Sequence, residues 1–172
     1  IHRLDRPVSG VLLFARTSKA LARMNDMFKN RQIKKTYYAI VKENPPAESG
    51  TLVHWLKRNE KQNKSYAYDY EVKGSKEARL SYSVTGRSER YYLLEVELHT
   101  GRHHQIRAQL AKVGCPVKGD LKYGYNRSNE NGGISLLARR LEFTHPVKNE
   151  PVVITAHLPE DDIWNLFVNS VK

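Results

Sequence analysis

Two stretches in the middle of the chain, residues 79–84 and 94–98, alternate strictly between apolar and polar side chains. Side chains in a strand repeat with a period of two, so each stretch predicts a strand with one buried face and one wetted face. The segment 85–90 between them is short and contains Gly and Ser, which is typical of a hairpin connection. Further strand-like runs lie at residues 37–41, 51–55, 135–143 and 152–156.

Helical spacing is confined to three segments. Over residues 19–31, apolar side chains recur every three or four positions, and their methionines are predicted to pack in the core. Thr17 or Ser18 could cap the start of this helix. Residues 103–113 carry apolar side chains at i, i+4 and i+7 before a Gly and a Pro that stop the helix. A last short helix is predicted over 161–167, with acids in its first turn.

Two other segments complete the prediction. The apolar run at 11–15 predicts a strand that is buried on both faces, and the polar stretch 57–64 predicts an exposed loop. Together these elements predict the α+β class, with a mixed, mainly antiparallel sheet and a few helices packed on it.

The chain has 172 residues, of which 29 are Lys or Arg and 18 are Asp or Glu, so its formal net charge is +11. Its length and its 40% hydrophobic content predict one domain over residues 1–172. Positive charge favours a polyanion as partner, because each Lys or Arg placed on a phosphate releases a counterion. Nucleic acid is the first interpretation, a charged surface that serves solubility the second and an acidic membrane surface the third.

The single cysteine, Cys115, cannot form an internal disulfide, which favours a reducing, cytoplasmic location. No apolar run approaches the roughly 20 residues that a membrane-spanning helix needs, and we expect no membrane partner. The chain also lacks a Gly-rich phosphate loop, a dinucleotide fingerprint and a G-x-S-x-G nucleophile elbow. These absences weigh against nucleotide hydrolysis, dehydrogenase chemistry and α/β-hydrolase chemistry.

Asp5 is a candidate for chemistry near the start of the chain. It lies between Arg3 and Arg6, and nearby positive charge keeps a carboxylate ionised, so that it can act as a nucleophile or a base. The competing interpretation is a polar turn that Ser9 and Gly10 close.

Two further clusters combine cations with ring side chains. Lys34 and Lys35 precede Tyr37 in a predicted strand and could place phosphate contacts beside an aromatic platform for a base; a core tyrosine with surface lysines is the alternative. Residues 99–107 combine a Gly turn and three histidines with a helix start that offers backbone N–H groups to a phosphate. The histidine spacing matches no metal signature, so no metal site is predicted.

Arg107 follows Ile106 by one position, about 100° round the helix. It is therefore predicted at the border of the buried face, where it can reach a neighbouring cleft. The last cluster, Gly119-Asp120 with Tyr123-Gly124, predicts no more than a shaped loop when taken alone.

Taken in order, these clusters resemble the RluA-type RNA pseudouridine synthases. Their order and spacing fit the family over most of the chain. The motifs are His2-Arg3-Leu4-Asp5 with Ser9-Gly10, Lys34-Lys35-Thr36-Tyr37, Gly101-Arg102 with His104-Gln105-Ile106-Arg107, and Gly119-Asp120 with Tyr123-Gly124.

The resemblance implies the pseudouridine synthase fold with a central RNA cleft, and conversion of uridine in RNA to pseudouridine without cofactor or metal. Asp5 matches the essential aspartate, which attacks C1′ or removes a proton on the way to a glycal. Tyr37 matches the tyrosine that stacks on the base, and Arg107 matches the arginine that pairs with the aspartate. The RNA-binding residues implied are Arg3, Arg6, Lys34, Lys35, Arg102, His104 and Gln105.

By the same resemblance, large-subunit ribosomal RNA is the first expected target and transfer RNA the second, and we expect a monomer. The sequence departs from the family pattern at Pro7-Val8, His103 and Leu137. These departures leave the matched catalytic residues in place and affect the expected loop geometry and choice of substrate. Family members carry further strands before the aspartate motif, so we expect an N-terminally truncated catalytic core.

Two rival interpretations remain open. A non-catalytic RNA-binding module of β-rich fold would share the charge and the aromatic residues, but it has no need for Asp5, Tyr37 and Arg107 together. A glycoside hydrolase-like enzyme would need a second acid beside Asp5, and the sequence offers no convincing one.

Overall fold

The computed structural model describes residues 1–171. Its strands and helices are β1 (Ser9–Gly10), α1 (Ser18–Lys29), β2 (Lys34–Val41), β3 (Ser49–Asn59), β4 (Lys64–Tyr68), β5 (Lys76–Arg87), β6 (Tyr92–Leu98), α2 (Gln105–Lys112), β7 (Leu136–Thr144), β8 (Pro151–Thr155) and α3 (Asp162–Asn165). Short 3₁₀ turns lie at Leu121–Tyr123 and Val168–Ser170. In the described chain the eight strands form one sheet in the order β1-β7-β2-β6-β5-β3-β4, with β8 also paired to β7.

Of the described strands, only β1 and β7 pair in parallel, and the other pairings are antiparallel. The predicted α+β class with a mixed, mainly antiparallel sheet is confirmed. Within residues 1–171, no helix has the length and apolar character needed to cross a membrane.

The predicted hairpin is formed by β5 and β6, in which Tyr82 lies opposite Val96. The apolar side chains of both strands join the largest core, and α2 packs Ile106 and Leu110 against the same face of the sheet. Burial of each such aliphatic side chain contributes about 1.5–3 kcal/mol. Together with contacts to β3 and β4, this packing fixes α2 on that face of the sheet, which decides where the polar side chains of the helix lie.

The opposite face of the sheet carries a second core. Tyr38 and Ile40 of β2 pack there with Trp164 and Phe167 from the C-terminal helical segment. Strand β2 is therefore buried on both faces, and only its first residues reach the end of the sheet where a ligand can approach.

The strand predicted at 11–15 is wrong. Strand β1 ends at Gly10, and after it Val11 is buried while Phe14 is 83% exposed. The His2 side chain explains the difference, because its Nε2 accepts the Leu13 backbone N–H at 3.0 Å. The Leu13 N–H, which in a continuing strand would donate to a carbonyl of the neighbouring strand, thus donates to a side chain instead.

The loop predicted at 57–64 is only half confirmed: residues 60–63 form an exposed turn, but β3 continues to Asn59 and β4 begins at Lys64. Contacts from another part of the chain hold this hairpin. The Lys122 ammonium donates to the carbonyls of Gln62 and Asn63 at its tip, at 3.3 and 3.1 Å. A single-sequence pattern does not contain such contacts.

The helix predictions are largely confirmed. Thr17 caps α1, since its hydroxyl accepts the Ala20 N–H at 3.1 Å, and Met24 and Met27 are buried. Helix α2 begins at Gln105 rather than 103, because His104 has the left-handed backbone conformation, with φ at 53°.

Candidate active site

A cleft of about 1160 Å³ lies between the N-terminal segment, the start of β2 and the start of α2. Nine Lys or Arg residues and three acidic residues line it, so its walls are strongly basic. All ten residues named from the sequence line this cleft: Asp5, Tyr37, Arg107, Arg3, Arg6, Lys34, Lys35, Arg102, His104 and Gln105.

The Asp5 turn is attached to the last third of the chain. The Asp5 carbonyl accepts the Val8 N–H at 2.9 Å, and the Pro7 carbonyl accepts the Ile134 N–H at 2.9 Å. Strand β1 then pairs with β7, where Gly10 adopts a φ of 121°. A Cβ on Gly10 would lie 2.3 Å from the Ala138 carbonyl oxygen, so this close approach requires glycine.

Arg107 joins this turn to α2. Its Nη1 lies 3.2 Å from Asp5 Oδ2, which confirms the predicted ion pair. Arg107 is 4% exposed, so the prediction of a border position understated its burial. Burial alone would lower the pKa of the guanidinium, but the hydrogen bonds and charge of Asp120, with the charge of Asp5, outweigh burial and raise it.

Asp120 and Tyr123 are site residues that the sequence reasoning missed. Asp120 is 1% exposed and accepts two hydrogen bonds from Arg107, from Nε at 2.7 Å and from Nη2 at 2.9 Å. The Tyr123 ring centroid lies 5.0 Å from the Arg107 Cζ, within cation–π range. Both residues lie in the last sequence motif, in which the acid beside Gly119 was the signal for a site residue. In the structure Gly119 has a φ of 87°.

Tyr37 lines the cleft from β2 and is half-buried. Burial, and then the negative charge of Asp5, raise the pKa of Tyr37 to about 12. The same cleft has apolar lining from Val8, Ile106 and Leu136. A ring beside aliphatic side chains suits a flat, partly apolar ligand such as a nucleobase.

His104 and Gln105 differ from the other predicted RNA-binding residues because both are buried. His104 Nδ1 lies 2.8 Å from the Tyr123 hydroxyl. The Gln105 side-chain oxygen accepts from the Thr100 hydroxyl at 2.7 Å and from the Arg102 backbone N–H at 2.9 Å. The Gln105 side-chain nitrogen donates to the Arg79 carbonyl at 3.0 Å, so both polar atoms of Gln105 and the Nδ1 of His104 are engaged within the protein.

The cationic candidates occupy the walls of the cleft. Arg3 and Arg6 are exposed, and Lys34 is paired with Glu97 at 3.4 Å. Burial, and then the charge of Arg31, lower the pKa of Lys35. The Arg102 Nε donates to the Glu77 carbonyl at 2.8 Å. The cations that line the cleft but were missed from the sequence are Lys29, Arg31 and Arg58.

The histidines of this region form hydrogen bonds with neighbouring side chains. His103 stacks on His104 with ring centroids 3.7 Å apart, and its Nδ1 lies 2.8 Å from the Ser65 hydroxyl. Among residues 1–171, no three His, Cys, Asp or Glu side chains are grouped so that they could hold a metal ion.

The sequence model of a family described as RNA pseudouridylate synthase matches residues 1–112, which include Asp5, Tyr37 and Arg107. The chain belongs to the RNA pseudouridylate synthase family. The name of the family, like the names of the relatives given below, describes isomerases that act on RNA. The chain is 34% identical over 182 residues to tRNA pseudouridine synthase C of Vibrio parahaemolyticus. The alignment covers 95% of this chain and 72% of the relative.

It is also 36% identical over 178 residues to an RNA pseudouridine synthase of Chlorobaculum parvum, with 94% of this chain covered. The chain spans about half, 54%, of that relative's length. Two human structures, RNA Pseudouridylate Synthase Domain Containing 4 and 1, match 96% and 98% of this chain with TM-scores of 0.78 and 0.72. They are 23% and 22% identical, and 73% and 78% of their chains are covered. The predicted pseudouridine synthase fold is confirmed.

Proposed function

We propose that the chain isomerises uridine within RNA to pseudouridine, with Asp5 as the catalytic carboxylate. The observation that carries the proposal is the Asp5–Arg107 ion pair, with 3.2 Å between Oδ2 and Nη1, in the wall of a basic cleft. The Asp5 side chain is 29% exposed, so the buried arginine orients a carboxylate that a substrate can still reach.

The proposed reaction conserves every atom of the substrate. The C1′–N1 bond breaks, the freed uracil turns, C5 bonds to C1′, and the proton lost from C5 is balanced by one gained at N1. The Asp5 carboxylate either adds to C1′ and leaves again, or removes a proton from C2′ and later returns it. Both routes place Asp5 beside the ribose, and neither uses an oxidant, a metal or a cofactor.

Tyr37 is proposed to stack on the uracil at the part of the cleft lining that it shares with Val8, Ile106 and Leu136. Its pKa of about 12 means that the phenol keeps its proton at neutral pH. In the free protein, Tyr37 therefore offers a ring face and an O–H donor rather than a phenolate base.

RNA is the proposed partner. The target base must leave its stack, which costs about a few kcal/mol, and phosphate contacts with stacking can offset this cost. The predicted cations Arg3, Arg6, Lys34, Lys35 and Arg102 line the cleft where they could supply those contacts, and Lys29, Arg31 and Arg58 extend them.

We propose large-subunit ribosomal RNA as the first target to test and transfer RNA as the second. The first comes from the resemblance, and the second is supported by the word tRNA in the name of the Vibrio parahaemolyticus relative. We also propose that residues 1–172 act as one catalytic domain, because the eight strands of the described chain share one sheet. Monomeric state and cytoplasmic location stay predictions.

The test is tritium release from RNA that carries ³H at uracil C5, with ribosomal and transfer RNA as separate substrates. The wild-type chain is expected to release tritium, and Asp5→Asn is expected to release none while it retains RNA affinity. Asp26→Asn, which changes an exposed carboxylate on α1, serves as the control.

Unchanged release by Asp5→Asn would refute the role of Asp5. A wild-type chain that binds both RNAs but releases no tritium from either would instead support the non-catalytic RNA-binding module.

A further inference from the structure

His104 is a buried histidine that lies against the proposed catalytic carboxylate. Its Nε2 is 3.7 Å from Asp5 Oδ2, and its side chain is 6% exposed. The residue has a φ of 53° and a ψ of 29°, a left-handed conformation that is uncommon outside glycine. Such a conformation in a packed site indicates that the surroundings hold the residue in place.

The Tyr123 hydroxyl determines which nitrogen of His104 carries the proton. Its oxygen accepts the buried Ser65 N–H at 2.8 Å, and His104 Nδ1 lies 2.8 Å from the same oxygen. Among residues 1–171, the structure gives the tyrosine O–H no other acceptor, so it donates to Nδ1. A neutral imidazole that accepts at Nδ1 carries its hydrogen on Nε2.

The environment of His104 favours this neutral form. Burial, and then the charges of Arg107, His103 and Lys122, lower the pKa of His104 to about 3, against a smaller opposing effect of Asp120. Burial also raises the pKa of Tyr123 to about 12, so the phenol retains the hydrogen that it donates.

We propose that His104 is a positioning residue for Asp5. Tyr123 selects the Nε2–H tautomer of His104, and this tautomer directs a second hydrogen at the Asp5 carboxylate oxygen that Arg107 already contacts. This inference rests on the proposed function of Asp5. Arg107 and His104 both address Oδ2, and within residues 1–171 the structure gives Oδ1 no hydrogen-bond or ion-pair partner. Oδ1 is therefore the oxygen left for the ribose.

The contact of 3.7 Å is longer than a direct hydrogen bond, and hydrogen bonds of a catalytic group often shorten only when substrate binds. The role differs from the RNA contact implied by the family resemblance. A positioning residue affects kcat, whereas an RNA contact affects affinity.

The first test is the tautomer of His104 in the RNA-free protein at pH 7, read from two-bond ¹⁵N–¹H correlations of the imidazoles. The peaks absent from His104→Gln identify the residue. We expect Nε2 protonated and Nδ1 unprotonated, and loss of this preference in Tyr123→Phe. An Nδ1–H tautomer or an imidazolium would overturn the proposal, and this measurement does not depend on RNA or on activity.

The second test compares two substitutions of similar polarity. The amide of His104→Gln can reach the position of Nε2, whereas that of His104→Asn reaches only the position of Nδ1, although Asn tolerates the left-handed backbone better. We expect Asn to lower kcat about tenfold or more with little change in KM for RNA, and Gln to lower it much less.

Equal losses of kcat in the two variants, or a change in KM for RNA with kcat unaltered, would overturn the positioning role. Thermal unfolding of both variants shows whether they fold, and if neither does, the wild-type tautomer decides. A wild-type chain without isomerase activity would refute the proposed function and leave His104 with a structural contact only.

Discussion

The Arg107 guanidinium is held at two points by the Asp120 carboxylate, with 2.7 Å from Nε to Oδ2 and 2.9 Å from Nη2 to Oδ1. Both side chains are buried. This arrangement fixes the plane of the guanidinium and leaves Nη1 for Asp5. The orientation of the proposed catalytic carboxylate therefore depends on an acid that is itself outside the reaction.

We expect Asp120→Asn to lower the free energy of unfolding by about 3 kcal/mol, because it removes the buried anionic partner of Arg107 and leaves the guanidinium only the partly exposed Asp5. It should also lower kcat for pseudouridine formation. Urea unfolding and tritium release measure the two effects. The control is Glu142→Gln, which removes the half-buried partner of Arg140 and should cost less than about 1 kcal/mol. Equal costs for the two substitutions would contradict the structural role of Asp120.

Stability should fall at alkaline pH because of Tyr37. Its pKa is raised from 10.0 to about 12, first by burial and then by the charge of Asp5. The unfolded chain releases the Tyr37 proton near pH 10, while the folded chain keeps it. The contribution of Tyr37 to the free energy of unfolding is therefore fully present below pH 10 and is lost as pH rises towards 12. Urea unfolding from pH 9 to 11.5 should show a shallower decline for Tyr37→Phe than for wild type. The exposed Tyr70→Phe serves as control, and identical slopes for all three chains would refute the prediction.

Gly10→Ala should detach the Asp5 turn from the sheet. The new Cβ would lie 2.3 Å from the Ala138 carbonyl oxygen, so β1 and β7 cannot keep their pairing. We expect the thermal midpoint to fall and kcat to drop about tenfold or more. Gly114→Ala separates the two causes, because Gly114 also has a positive φ of 83° but no atom within 4 Å of the added Cβ. The Gly114 variant should lose about 1 kcal/mol of stability and no activity.

Arg58 should contribute to RNA affinity although the sequence motifs do not contain it. It is exposed and lines the cleft beside His103. We expect Arg58→Ala to reduce the slope of log K against log salt by about 0.7–0.9, the value for one phosphate contact. Lys73→Ala, a change of an exposed cation outside the residues that line the cleft, should leave the slope unchanged. The same slope for wild type and Arg58→Ala would show that Arg58 makes no phosphate contact.

The sequence predicted those parts of the fold that depend on local periodicity. The alternation over 79–84 and 94–98 identified β5 and β6, since burial of one face of a strand produces a period of two. Local patterns failed where a distant group decided the backbone. The His2 ring takes a donor from the segment after β1, and the Lys122 ammonium holds the hairpin of β3 and β4.

The candidate site shows the same division. The Asp5–Arg107 pair was predictable because each residue lies in a motif that matches the family. The motif that contains Asp120 and Tyr123 was quoted as well, but their roles depend on contacts with α2 that spacing alone does not define. A buried carboxylate requires a cation, and only the folded chain shows which cation it has.

The pairing of Ser9 and Gly10 with Leu137 and Ala138 joins positions 128 residues apart in the register of the sheet. During translation, Asp5 leaves the ribosome well before the strand that anchors its turn. A nascent chain that has already made α2 and Arg107 therefore still lacks a fixed Asp5 until β7 has been synthesised. The reaction centre can therefore be complete only after β7 has been made and has paired with β1, so isomerase activity would also report that pairing.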